Sequence, residues 1–441
     1  MNEKFMIHNL FKNNSIKYFN ENDPNLKGLQ KEKLIYESPL IEKLPQKKGI
    51  YILLGGRQVG KTTLTKQWIS LILKKTNPFS VCYLTGDIIL DFNELLNHCL
   101  EAIENQKNKN ETFYLIIDEV TYIKEWDRAI KFLADGGYIE NAVVLITGSD
   151  SIVLKDAMLR FPGRRGNEDQ YNFHLHPLSF KEAVDLKNIN NSEITNEFLL
   201  KEWNEYLIHG GYLKAINEFV SELKIRKATL RTYSEWIRGD FIKNNKKEYT
   251  LKEIFKSILK RQCSQVSWNA LSKELSTQHV ATLISYLNML ESMGVIIILK
   301  ALDQNKLSGA PKKAKKIHFL DPFIFHAINF WINPVEDPFQ DQITKILKDI
   351  SPALTESSAA SHLKRIYEIY YIKTESEVDI AYLKNETFYP VEIKWGNQIR
   401  KKDLKQILKY SNSKIWSKLE KEEFCGVKNL FLPAQIYNLK P

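Results

Sequence analysis

Cysteine is scarce in this 441-residue chain, and what there is does not pair. The four cysteines, Cys82, Cys99, Cys263 and Cys425, include no C-x-x-C spacing, so neither a zinc knuckle nor a disulfide framework is indicated. A reducing, cytoplasmic compartment is the expectation. Long apolar runs are also missing: no stretch approaches the length needed to span a bilayer. Residues 1–11 have neither an extended apolar core nor a small-residue cleavage site, so a soluble chain with no membrane partner is expected. There are no internal repeats. His174 and His176 stand two apart on an expected strand, but no cysteine or third histidine has matching spacing, which leaves them structural. Acidic residues are outnumbered: 63 Lys and Arg against 53 Asp and Glu give a formal charge of +10. That balance favours a polyanionic partner without naming one.

What is present is enough apolar material for several cores, with 43% hydrophobic and 11% aromatic residues over a length that suits two to four domains. Residues 1–45 read as a polar, irregular lead-in segment. Then Ile50-Tyr51-Ile52-Leu53-Leu54 reads as a buried strand running into Gly55-Gly56-Arg57-Gln58-Val59-Gly60-Lys61-Thr62. This fits G-x-x-x-x-G-K-[ST], and Thr63 onward reads as a helix. Strand, glycine turn and helix are what phosphate binding requires: backbone N–H groups close around the oxygens, and the helix N-terminus adds a favourable field. Lys61 is expected to reach the β- and γ-phosphates, and the Thr62 hydroxyl to sit on Mg²⁺.

Phe113-Tyr114-Leu115-Ile116-Ile117 is an apolar strand ending in Asp118-Glu119. Asp118 is expected to hold Mg²⁺ opposite Thr62, and Glu119 to act as general base on the attacking water. A further apolar strand, Val143–Thr147, ends in Gly148-Ser149, and Ser149 is the expected water-orienting residue, with Thr147 as runner-up. Arg160, Arg164 and Arg165 cluster on the following turn. Arg164 is the expected finger, although its neighbours satisfy the same argument. Strands alternating with helices from Ile50 onward predict an α/β fold with a parallel sheet covered on both faces.

Beyond Pro177 the pattern turns helical through about Lys260. Trp268–Leu275 and Gln278–Met293 read as two helices, followed by strands at Val295–Leu299 and Ile317–Leu320. Between those strands lies a loop, Asp303–Pro311, with Lys312, Lys313, Lys315 and Lys316 after it. That order is the layout of a winged helix. Gln278, His279 and Ser285 are the polar positions that would face a groove, and the basic hairpin would meet phosphates. Trp126, Trp203, Trp236 and Trp268 are scattered and are expected in cores and domain seams.

The tail holds a second carboxylate pattern. Glu377-Val378-Asp379-Ile380 and Val391-Glu392-Ile393-Lys394 read as strands, after a helix Ser351–Lys364 that carries Glu356. If Asn385-Glu386 is a two-residue hairpin loop, Lys384 pairs with Thr387 and Asp379 falls opposite Glu392. Glu392 and Lys394 then share a sheet face, giving a possible second Mg²⁺ site of Glu356, Asp379, Glu392 and Lys394. Pro390 points to an edge strand or a distorted ladder, and Lys402–Tyr410 reads as a helix.

On these words the chain resembles the prokaryotic predicted AAA-type ATPases that carry a C-terminal domain of unknown function with a nuclease-like fold. The matching residues are Tyr36-Glu37-Ser38-Pro39-Leu40, the loop Gly56–Thr63, Leu115–Glu119, Thr147-Gly148-Ser149, Pro162-Gly163-Arg164-Arg165-Gly166, His176-Pro177-Leu178-Ser179-Phe180 with Glu182, and Tyr206–Tyr212. One departure is Leu213, where the family's Gly-Gly turn is commonly followed by proline. Asp379, Glu392, Lys394 and Glu356 resemble the D…E-x-K core of restriction-endonuclease-like domains. The resemblance implies an ATPase core that uses ATP and Mg²⁺. The expected organisation is a lead-in over 1–45, an AAA-type core over 46–180, and a helical lid and linker over 181–260. A winged helix over 261–335 and a restriction-endonuclease-like domain over 345–441 complete it. Expected partners are ATP and DNA, with a protein partner or a homo-oligomer as alternatives, and a nucleotide-gated scaffold or a metal-dependent nuclease as rival functions.

Overall fold

In the computed structural model, which describes residues 3–148, 151–158, 170–188 and 193–440, the apolar runs of the first part of the chain become five parallel strands. These are β1 (Gly49–Leu54), β2 (Val81–Thr85), β3 (Phe113–Asp118), β4 (Ala142–Thr147) and β5 (Asn172–His174), in the order β2-β3-β4-β1-β5. β2 and β4 are buried along their whole length, as unbroken runs of Val, Ile and Leu require when both faces are covered. Alternation along β1 divides the core. Ile50, Ile52 and Leu54 face one cluster with Leu95, Trp126 and Leu133, from the helices Phe92–Glu104 and Trp126–Asp135. Tyr51 and Leu53 face the other, with Leu64, Trp68 and Ile69 of the helix Lys61–Ile72 and Phe11 and Phe19 of the lead-in.

The lead-in is therefore ordered and built into the unit, as short helical turns at Glu3–His8, Ile16–Asn22 and Pro24–Leu29. It also blunts the sheet edge. The Asn9 side chain donates to the Tyr83 carbonyl and accepts from the Tyr83 N–H, at 2.8 Å each, supplying the pairing that β2 lacks on its free side. Residues Met1–His176 form one compact unit and Pro177–Pro441 a second.

In the second unit helices run from Phe180–Lys187 to Glu248–Lys260, and the helices over 181–260 belong to this unit rather than to that of the five-stranded sheet. β6 (Gln265–Val266), the helices Trp268–Ser272 and Val280–Ser292, and the hairpin β7 (Ile296–Asp303) and β8 (Ser308–Phe319) follow. After the buried helix Pro322–Ile332 and the long helix Thr344–Lys364 come β9 (Ile369–Lys373), β10 (Glu377–Lys384), β11 (Thr387–Lys394), β12 (Lys414–Ser417), β13 (Glu423–Phe424) and β14 (Val427–Phe431). These nine strands form one mixed sheet, β13-β14-β12-β11-β10-β9-β7-β8-β6, in which the hairpin joins the tail at one pair, Ala301 opposite Tyr371.

Three local expectations are corrected. β8 begins at Ser308, and its ladder with β7 jumps from Lys315 opposite Lys300 to Ala310 opposite Ala301. The basic residues Lys312 and Lys313 thus stand on a mid-strand bulge, where Pro311, which has no N–H to give a ladder, is tolerated. Lys402–Tyr410 is not a helix but two 3₁₀ turns, Lys401–Leu404 and Ile407–Lys409; so short a segment does not repay helix nucleation. Pro390 lies on an interior strand, yet β11 pairs with β12 only from Val391 onward, so the proline has one partner strand and costs no bond.

Candidate functional site

The glycine loop and the two acids meet at the carboxyl ends of β1, β3 and β4. Gly55, Gly56, Arg57, Gln58, Val59 and Gly60 make the turn, and Lys61, Thr62 and Thr63 open the helix. Gly60 has φ +100°, a left-handed conformation that favours glycine. The Lys61 ammonium donates to the carbonyls of Gly55 and Gly56, 3.0 Å each, and lies 3.9 Å from Glu119 Oε1. Arg57 donates to the Tyr122 hydroxyl.

Asp118, 2% exposed, is held from three sides. Its Oδ2 accepts from the Thr62 hydroxyl at 2.7 Å and from the Tyr83 hydroxyl at 2.5 Å. Its Oδ1 accepts from the Thr147 hydroxyl, which in turn accepts from the Glu119 N–H at 3.1 Å. Thr147, the runner-up in the sequence, is thus the strand-end hydroxyl beside both acids. Ser149 and Arg164, with Arg160 and Arg165, lie outside the described residues. Glu119 itself sits at φ 51°, ψ 43°, a left-handed conformation that costs a side-chain-bearing residue about 1–2 kcal/mol and turns its carboxylate towards the loop. Burial raises the Glu119 pKa above the usual carboxylate range, with Lys61 and Arg57 opposing and Asp118 assisting. Its Oε2 is buried without a hydrogen-bond partner.

These residues fit a magnesium-bound nucleotide. A hydroxyl and a carboxylate bonded to one another form the pair of hard oxygen ligands that Mg²⁺ takes. The buried, unpartnered Glu119 Oε2 is an open acceptor beside the loop.

Four supporting residues carry no motif and were not singled out in the sequence. Lys66 and Asp23 are both fully buried and 3.1 Å apart. The Lys66 ammonium donates to the His8 carbonyl at 2.8 Å and lies 3.6 Å from the centroid of the Tyr83 ring, a cation–π contact. Burial lowers its pKa to about 8 against the pull of Asp23. A chain of contacts therefore runs from the lead-in through Lys66 and Tyr83 to Asp118. Gly86, at the end of β2, is the fourth: a Cβ there would stand 2.3 Å from the Glu119 carbonyl oxygen. A lysine in an amphipathic helix and a tyrosine in an apolar run read as surface and core; only the fold makes them neighbours of Asp118.

The tail carboxylates also converge. Lys384 is opposite Thr387 and Ile380 opposite Val391, a register that sets Asp379 against Glu392. A bulge between Val378 and Ala381 on the β9 side bends β10 there. Asp379 Oδ2 accepts from the Ile393 N–H at 2.8 Å, and Lys394 donates to Glu392 at 2.7 Å. Burial and the Asp379 charge raise the pKa of Glu392, and the same two causes raise that of Glu356. The centre contains one residue the sequence pattern did not include: Lys316 of β8, 1% exposed, ion-paired to Glu356 at 2.8 Å, Asp379 at 3.5 Å and Glu377. Next to it, Cys263 Sγ lies 3.5 Å from His318 Nδ1.

The remaining expectations are structural. The rings of His174 and His176 stack 4.0 Å apart. Gly211 donates to Asp321 at 2.8 Å and its carbonyl accepts from the Leu178 N–H at 2.7 Å, so the Gly-Gly turn is a packing seam. Trp126 and Trp203 are buried. On the helix Val280–Ser292, Ser285 accepts from Lys246 at 2.5 Å. The exposed positions Gln278, His279, Ala281, Ser285 and Asn288 include no Lys or Arg. Among the described residues no helix is long and apolar enough to cross a membrane.

Comparison with known proteins agrees with the first unit. Residues 47–184 match the model of an AAA domain, and residues 200–337 that of a domain of unknown function. Two uncharacterized proteins of Methanocaldococcus jannaschii are similar. One is 28% identical over 60% of this chain and 56% of its own length, the other 25% over 62% and 61%. The chain thus spans less than two thirds of either relative. Among solved structures, a Walker-type ATPase of Pyrococcus abyssi aligns over 66% of this chain and 94% of its own, with 16% identity and a TM-score of 0.43. The stretch with the glycine loop on β1, the acids on β3, and β4 between them, is thus similar to an AAA domain of the P-loop class, and the stretch after it to a domain of unknown function.

Proposed function

We propose that the first unit binds ATP with Mg²⁺ and hydrolyses it. One observation carries this reading: a buried aspartate bonded to the P-loop threonine, beside a glutamate whose Oε2 is buried and unpartnered within reach of the P-loop lysine. In this reading the loop amides and Lys61 bind the phosphates, and Thr62 and Asp118 hold the metal. Bound Mg²⁺ would supply charge neutralisation between the phosphates. Glu119 takes the proton of the attacking water, its raised pKa bringing it nearer the working pH of a general base, and Thr147 fixes the two acids relative to each other. Arg164 or a flanking arginine is proposed to stabilise the transferring phosphoryl group, in a homo-oligomer across a subunit boundary.

The test is nucleotide calorimetry with steady-state turnover. Lys61→Ala is expected to abolish both binding and hydrolysis. Glu119→Gln is expected to bind ATP as the natural chain does and to turn it over about 10²–10⁴-fold more slowly. Nucleotide uptake absent from the folded natural chain refutes the proposal; an undiminished rate in Glu119→Gln refutes the role of the base.

A second reading, DNA binding coupled to turnover, rests on the exposed Lys312 and Lys313 of the β8 bulge. They follow a helix–strand–helix–helix–hairpin order that suits a winged helix. With no Lys or Arg in the helix Val280–Ser292, phosphate contact falls to these two lysines. Binding that weakens steeply with salt supports it; no binding favours a nucleotide-gated scaffold with a protein partner.

A further inference from the structure

We propose that Lys316 is the resident cation of the C-terminal carboxylate centre, its ammonium taking the place that a divalent metal would fill. The tail pattern of Glu356, Asp379, Glu392 and Lys394 invites a Mg²⁺ site, and the fold does gather these residues. It also brings in a lysine from a strand outside that pattern.

The geometry is that of an ammonium cage. A lysine ammonium has three N–H donors and no acceptor. Lys316 Nζ faces three carboxylates, with Glu356 at 2.8 Å, Asp379 at 3.5 Å and Glu377 as the third. Those acids come from three places: the helix Thr344–Lys364 and two positions of β10. Mg²⁺ would draw the same oxygens in to about 2.0–2.1 Å, and two cations on one set of carboxylates would repel. Two further oxygens are committed, Asp379 Oδ2 to the Ile393 N–H and Glu392 Oε1 to Lys394, 2.7 Å away, while Glu392 Oε2 is buried without a hydrogen-bond partner. Glu377 is further tied to Gln265 of β6. The lysine therefore pins β6, β8, β10 and the long helix together, a structural task in a place where the sequence pattern suggests cleavage.

Lys316 lies just beyond the Lys312–Lys313 bulge on β8. Removing its ammonium should leave a set of buried acids that a divalent ion can enter. The test is Mn²⁺ uptake by the full-length chain without nucleotide, read by the decrease of the free-ion electron paramagnetic resonance signal. Asp118→Asn serves as background, so that the P-loop ligand does not contribute. In that background the expectation is no uptake up to millimolar Mn²⁺, and one ion per chain once Lys316→Gln is added. Uptake of one ion by the background chain, abolished on adding Asp379→Asn, overturns the proposal. So does a folded Lys316→Gln chain, checked by circular dichroism, that takes up none, because the carboxylates would then not be a cation site. If Lys316→Gln does not fold, the background chain alone decides, since uptake abolished by Asp379→Asn refutes and its absence supports. The readout involves neither ATP nor DNA, so it stands apart from the fate of the ATPase reading.

Discussion

The buried pair Asp23–Lys66 lies between the lead-in and the nucleotide site, and breaking it is the sharpest test of that arrangement. Both side chains are fully buried and 3.1 Å apart. Asp23→Asn is a narrow perturbation. Asp23 Oδ1 caps the helix Pro24–Leu29 through the N–H groups of Asn25 and Leu26, at 3.0 and 3.3 Å, and an asparagine keeps that cap. What disappears is the charge beside Lys66. Removing one member of a buried pair leaves the other uncompensated, at about 3–5 kcal/mol. With a urea dependence of about 2 kcal/mol per molar, the midpoint falls by about 1.5–2.5 M.

The assay is urea-dependent hydrogen exchange of Val81–Thr85, which reports on the first unit alone. Lys66→Met should cost a similar amount. The double variant should cost much less than the sum, because no charge is then left buried. The pH limb has a definite sign. Lys66 titrates at about 8 when folded, against an ordinary 10.5. Between those values the unfolded chain binds the extra proton, so stability relative to Lys66→Met rises with pH, by about 3 kcal/mol at most. Below about pH 8 the difference is flat. Additive single effects, a midpoint shift under about 0.5 M for Asp23→Asn, or stability falling over that pH range would refute the reasoning.

Tyr83→Phe keeps the ring under Lys66 but removes a hydrogen bond to Asp118, a loss of about 1.5–3 kcal/mol for a bond to a charged group. The Mg²⁺ concentration for half-maximal ATP turnover should rise, and an unchanged Mg²⁺ titration would show that the hydroxyl does not position the ligand. Gly86→Ala forces a methyl group against the Glu119 backbone, where it would meet the carbonyl oxygen at 2.3 Å. Displacing the base by about 1 Å should slow turnover on the order of 10²-fold with nucleotide affinity kept, which calorimetry and a rate assay separate; a natural rate would mean the backbone yields without moving the acid. Lys312→Ala with Lys313→Ala should make the salt dependence of DNA binding shallower by about 0.9 for each phosphate no longer neutralised, and an unaltered slope would place the phosphate-binding cations elsewhere.

The sequence by itself determined the parts whose cause is local. The glycine loop was legible because its chemistry is carried by consecutive residues. The end of β3 at Asp118 was legible because an unbroken apolar run stops there at two acids. The β10–β11 register was legible because a two-residue turn fixes every pair that follows it. The mid-strand bulge of β8, the two 3₁₀ turns in place of a helix and the strands β12 to β14 were not, since short segments take their form from the strands and helices they pack against. Only the tertiary structure decided which side chains surround the acids. Tyr83 reaches Asp118, with Lys66 and Asp23 behind it, because parallel strand order and an ordered lead-in bring residues distant in sequence together. Lys316 enters the tail carboxylates because one nine-stranded sheet joins the hairpin to the tail. A buried charge must find its partner wherever the fold supplies one, and linear spacing does not record that partner.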